Sequence, residues 1–159
     1  MPLQAFRRGY ERVLEWIVIA LMVALAVEVT AGVVFRYTGR SLVWYDEVAT
    51  ILLAWVTYYG AALAALKRSH IGVPELVGLL PPALRVPMAL LAQAFVFAFF
   101  ILLAWVGYSV LEILAGDTLV ALPGVSVAYA QSVIPISAVL FVIAQALALP
   151  ETLREARRA

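Results

Sequence analysis

The sequence predicts an all-α integral membrane protein. Four transmembrane helices are expected, with a short amphipathic interfacial segment between helices two and three and both termini cytoplasmic. Three observations carry this reading. Of 159 residues, 65% are hydrophobic and 13% are charged, whereas soluble domains are typically about 45–50% apolar and about 25% charged. The apolar residues fall in four runs, each roughly 20 residues long, and about 20 helical residues cross a hydrocarbon core about 30 Å thick. None of the runs alternates with a strand's two-residue period, and unpaired backbone is costly in lipid, so each is read as a helix.

The first span runs from about 16 to 35, from Trp16 to Phe35, behind Arg7, Arg8 and Arg12. Ala24-Leu25-Ala26 fits a small-x-small cleavage pattern, but the apolar run continues to Phe35, longer than a signal segment needs, so a retained span is expected. Glu28 lies inside it, where a carboxylate costs about 2.5–3.5 kcal/mol on insertion scales. Its neighbours four residues away are Ala24 and Gly32, small residues that let another helix approach. Glu28 is therefore an ion or proton site, a polar contact to a neighbouring helix, or a glutamate near the outer interface.

Arg36 and Arg40 follow, across a short turn containing Gly39. The second span runs from about 48 to 66 and opens on Trp44, Asp46 and Glu47, with Trp44, Glu47, Ile51 and Trp55 on one helix face. Acids in a first turn favour the positive end of the helix dipole. An ion pair from Arg36 or Arg40 to Asp46 or Glu47 would tie span one to span two. Gly60 and Ala64, with Ala61 and Ala65, form small-xxx-small pairs and predict a packing face.

Lys67, Arg68, His70 and Arg85 read as interfacial anchors. The stretch from about 71 to 87 carries Pro74, Pro81, Pro82 and Pro87 among apolar residues, too short and too broken to span. An amphipathic segment lying in the interface is expected there, an ordinary loop being the alternative. The third span, about 88–111, carries Gln93. The fourth, about 128–149, carries Gln131, Ser132, Ser137 and Gln145, and Pro135 should kink it or loosen its first turns. The whole chain, 1–159, is one four-helix membrane domain.

Nine of the eleven basic residues flank the N-terminus, the loop after span two and the C-terminal tail; only Arg36 and Arg40 lie on the other side. The positive-inside rule then places both termini in the cytoplasm. A net charge of +1 leaves no basic surplus for nucleic acid. The absence of cysteine excludes disulfides and thiol chemistry, and a single histidine excludes bis-histidine haem. No nucleophile–base pair, phosphate loop or metal cluster is recognisable, so neither an enzyme nor a bound cofactor is expected.

The order of the motifs resembles the small membrane subunit of tripartite ATP-independent periplasmic (TRAP) transporters. Span one ends in Val34-Phe35-Arg36-Tyr37, and Leu42-Val43-Trp44-Tyr45-Asp46-Glu47 is similar to the family's Trp-x-x-Glu opening of span two, with Trp55 and Gly60 following. Span two exits through Lys67-Arg68-Ser69-His70-Ile71-Gly72-Val73, and Pro74-Glu75 stands where the family usually has an Asp. Leu80-Pro81-Pro82 follows, and span four carries Ile134-Pro135-Ile136, with Ser137 where Gly is common. The resemblance implies a multi-pass protein of the bacterial inner membrane that works with a large multi-span subunit and a periplasmic substrate-binding protein. It implies that substrate and sodium sites lie in the large subunit, that the solutes are organic acids, and that the small subunit braces the scaffold and contributes to docking the binding protein. Membrane lipids are the remaining expected partner. Glu28, Gly32, Arg36, Trp44, Asp46, Glu47, Trp55, Gly60 and Ala64 are the candidate packing residues. The alternatives are a small multidrug-type proton-coupled exporter using Glu28, and a membrane anchor or assembly subunit of another complex.

Overall fold

A computed structural model describes residues 2–67 and 81–158. Its helices are α1 (Pro2–Tyr37), α2 (Tyr45–Leu66), α3 (Pro82–Leu114), α4 (Val127–Gln131) and α5 (Val133–Arg158). Four helical stretches are long and apolar enough to cross a membrane: α1, α2, α3, and α4 together with α5.

The helices extend past the apolar runs because polar residues at their ends find partners. At 36 residues, α1 is about 54 Å long, and the turns ahead of Trp16 carry Arg7, Glu11 and Glu15 into contacts described below. Pro82 sits at the start of α3, where no backbone N–H is needed. Residues 82–87, expected in the interfacial segment, are therefore the first turns of α3, with Pro87 inside the helix. Pro87 forfeits one intrahelical bond, to the Ala83 carbonyl. Residues 71–80 of that segment lie outside the described residues.

At the end of α1, Gly39 has φ 75°, a left-handed conformation that glycine adopts without a Cβ penalty. Its N–H bonds the Arg36 carbonyl at 3.1 Å and the Arg40 N–H bonds the Phe35 carbonyl at 3.0 Å. This pair of bonds is a Schellman motif, and it folds Arg40 back beside the last turn of the helix.

In space the long helices stand in a row, in the order α1, α2, α5, α3. The buried cluster is small: Leu14, Ala62, Ala65, Leu66, Phe141 and Ala144, from α1, α2 and α5. Helix α5 is central because its buried positions include Ala138, Ala144 and Ala148, small residues that admit α2 on one flank and α3 on the other. No residue of α3 is buried. Phe95, Phe99 and Trp105 of that helix are exposed, Trp105 by 70%.

Candidate functional site

The polar side chains of the spans collect at three levels, one at each end of the row and one between. At the end opposite the termini, Glu47 in the first turn of α2 accepts hydrogen bonds from the backbone N–H groups of Val120 (3.0 Å) and Ala121 (2.8 Å). These belong to the α3–α4 loop, which closes on itself through the Leu119 N–H to the Val125 carbonyl (2.9 Å) and the Val127 N–H to the Asp117 carbonyl (2.9 Å). Leu119 is buried beneath it, and Ser126 caps α4 by accepting from the Ala128 N–H. One carboxylate thus fastens a loop to the start of another helix through charge-assisted bonds.

Next to this clamp, the Trp55 indole N–H donates to the Ala130 carbonyl at 2.9 Å. A continuous helix would commit that carbonyl to the Ile134 N–H. The helix instead breaks at Ser132, between α4 and α5, and Pro135 lies buried in the first turn of α5. The break frees an acceptor, and Trp55 of α2 takes it.

At the same end, Gly32 of α1 is buried against the Tyr45 ring of α2. Any Cβ there would overlap the ring. One turn away, Glu28 is partly buried, and its Oε1 is sealed from solvent with no hydrogen-bond partner among the described residues. Across the row, the Gln145 amide donates to the Gln93 carbonyl oxygen at 2.6 Å, joining α5 to α3. Phe100 and Phe141 stack with centroids 3.7 Å apart. Gly107 of α3 lies where a Cβ would approach Pro135 Cδ and Ile134 Cγ2 at 3.2 Å, so a glycine permits the α3–α5 crossing at the break.

At the end bearing both termini, Arg7 of α1 pairs with Glu151 of α5 and also donates to the Leu66 carbonyl of α2 at 3.2 Å. Lys67, just past α2, pairs with Glu15 and lies 3.7 Å from Glu11, both on α1. The Tyr10 hydroxyl donates to the Leu140 carbonyl at 2.6 Å. The hydrogen bond with Glu15 raises the Lys67 pKa above its ordinary value, with the charges of Glu15 and Glu11 adding to it and partial desolvation opposing it. A raised lysine pKa stabilises the fold fully below the unfolded value of about 10.4 and ceases to do so as pH rises through the folded value, so the pairing is intact at neutral pH.

Several placements differ from the sequence expectations. Among the described residues no ion pair joins Arg36 or Arg40 to Asp46 or Glu47. Glu47 is committed to the loop backbone, Asp46 is exposed, and both arginines are exposed. Trp44 occupies the N-cap position of α2 without a side-chain cap bond. A Cβ at Gly60 would meet nothing within 4 Å. The fully buried residues of α2 are Ala62, Ala65 and Leu66, about half a turn round the helix from Gly60, and Ala64 is only partly buried. Lys67, expected as an interfacial anchor, is an ion-pair partner of Glu15 and Glu11 on α1. Arg85 is partly buried near the start of α3. Arg68 and His70 lie outside the described residues.

The sequence reading missed Arg7, Glu11, Glu15 and Glu151 as partners and Gly107 as a crossing point. The charges look like topology signals until helix length brings them to one level, and a lone glycine in an apolar run carries a weak signal. Among the described residues no group of three metal-capable side chains occurs. The polar groups assembled here hold helices to helices and a loop to a helix.

Two comparisons bear on this arrangement. A family described as tripartite ATP-independent periplasmic transporters, DctQ component, matches residues 25–155. The chain is also similar to the C4-dicarboxylate TRAP transporter small permease protein DctQ of Vibrio cholerae serotype O1, at 33% identity over 90 residues. That stretch covers 56% of this chain and 39% of the relative, so well under two thirds of the relative is matched.

Proposed function

Since this chain belongs to the DctQ component family of tripartite ATP-independent periplasmic transporters, we propose that it is the subunit that braces a large, multi-span transport subunit during solute uptake. It is a multi-pass inner-membrane protein of the small permease type. The observation that carries the bracing role is the row of helices locked at both ends. Arg7, Glu11, Glu15, Lys67 and Glu151 join α1, α2 and α5 at one end, and Glu47 and Trp55 hold α2 to the α3–α4 region at the other. Such locks resist shear between neighbouring helices, as a static scaffold requires.

The finer parts of the proposal rest on the family and on charge placement. Both termini face the cytoplasm, since the end holding Arg7 and Lys67 is the basic end. Sodium and solute sites lie in the large subunit, and the solute is an organic acid, in line with the C4-dicarboxylate named for the Vibrio cholerae relative. The loop held by Glu47 faces the periplasm and contributes to docking a substrate-binding protein. Glu28 serves packing between helices and takes no part in coupling.

The decisive experiment is gentle-detergent purification of the tagged full chain. A multi-span subunit of about 12 or more helices should copurify, and its absence would overturn the proposal. For Glu28, the Glu28→Gln variant should leave assembly and sodium-driven uptake intact. Loss of sodium coupling with assembly preserved would reassign Glu28 from packing to transport.

A further inference from the structure

The outer flank of α1 carries a groove headed by a guanidinium, and we propose that it seats one anionic phospholipid, with an acyl chain along the groove and the phosphate on Arg40. Two hollows make the groove. One, of about 550 Å³, runs from Val23 past Val27 and Thr30 to Val34 and Phe35. The other, of about 420 Å³, shares Val34 and Phe35 and continues to Thr38 and Arg40. The floor is low because Ala26 and Ala31 lie between larger side chains. Thr30 offers the groove no unmet donor, since its hydroxyl bonds the Ala26 carbonyl at 2.7 Å. The Thr38 hydroxyl is likewise turned to the Phe35 carbonyl at 2.9 Å. The groove is therefore apolar along its length and charged only at its mouth.

The position of the charge is built into the chain. The Schellman motif at Gly39 folds Arg40 back against the last turn of α1, at the mouth. Among the described residues no carboxylate pairs with Arg40, and a guanidinium is suited to bind a phosphate.

Length selects the occupant. From Val23 to Phe35 the groove is about 18 Å long at 1.5 Å per residue. One leaflet of a core about 30 Å thick is about 15 Å deep. An amphiphile with its charge at headgroup level and its tail ending near the midplane matches that extent, whereas a spanning helix of another subunit needs the full thickness. The leaflet is the one away from the two termini.

The test uses the full chain, purified with any membrane subunit that accompanies it and stripped of lipid. It is titrated with phosphatidylglycerol or with phosphatidylcholine of the same acyl chains, and bound lipid is read by native mass spectrometry. Phosphatidylglycerol should be retained about fivefold better, the effect of one arginine near a charged surface. Arg40→Gln should abolish that preference, lowering phosphatidylglycerol retention more than phosphatidylcholine retention. Ala26→Phe, at an exposed position on the floor, should lower retention of both lipids while circular dichroism stays unchanged. Equal retention of the two lipids by the parent chain, or a preference that survives Arg40→Gln, overturns the headgroup assignment. A photo-reactive residue at Val27 that cross-links in native membranes to a protein helix, and not to lipid, overturns the occupant.

Discussion

Glu47 and Glu28 are carboxylates about one span apart in the sequence, and their environments separate their roles. Both oxygens of Glu47 accept backbone N–H groups from the α3–α4 loop, at 3.0 and 2.8 Å. A bond to a charged group contributes about 1.5–3 kcal/mol. Glu47→Ala should therefore speed hydrogen exchange at Val120 and Ala121 by roughly tenfold to a hundredfold, with amides in the middle of α5 unchanged. Exchange mass spectrometry reads this directly, and an unchanged loop would mean that the loop's own bonds hold it. Glu28 has no such partner for Oε1, and its neighbour Gly32 is pressed against Tyr45. The sequence marked both acids as unusual. It could not say that one would reach a loop more than 70 residues away, because the partners are main-chain groups and carry no residue signature.

Among the elements, the apolar lengths of the four spans were legible and their ends were not. Span three begins six residues earlier than its apolar run suggests, because Pro82 starts α3 and Pro87 is carried inside it. The expected kink near Pro135 corresponds to a one-residue interruption at Ser132, with a five-residue helix, α4, ahead of it. The contact between α3 and α5 is the clearest case of pairing that spacing does not reveal. Gln93 and Gln145 are single polar residues in apolar runs, and only helix adjacency makes them a hydrogen-bonded pair at 2.6 Å. Such intramembrane bonds contribute about 0.6 kcal/mol on average and up to about 1.7. Gln93→Leu and Gln145→Leu should each destabilise by about that amount, and the double variant by less than the sum of the two. Thermal unfolding in detergent for all four members of the cycle measures the coupling, and strict additivity would show that the pair contributes nothing.

For the whole molecule, sidedness gives the simplest test, because the chain has no cysteine to remove. Gly124→Cys, in the loop held by Glu47, should react with a membrane-impermeant thiol reagent added to the periplasmic side. Ala5→Cys, near the Arg7–Glu151 contact, should react only after the membrane is opened. The opposite pattern would invert the proposed orientation. The sequence by itself determined the solvent and the class: 65% hydrophobic residues in four spanning runs leave no option but helices in a bilayer, since lipid offers the backbone no hydrogen bonds. Its ordered motifs also determined the family. Tertiary structure alone decided the lateral order α1, α2, α5, α3 and the pairs that lock it. All four runs are similarly apolar, and between helices in lipid the neighbour is chosen by close packing and a few polar contacts, not by hydrophobicity. Those contacts join residues as far apart as Arg7 and Glu151, and only the folded row brings them together.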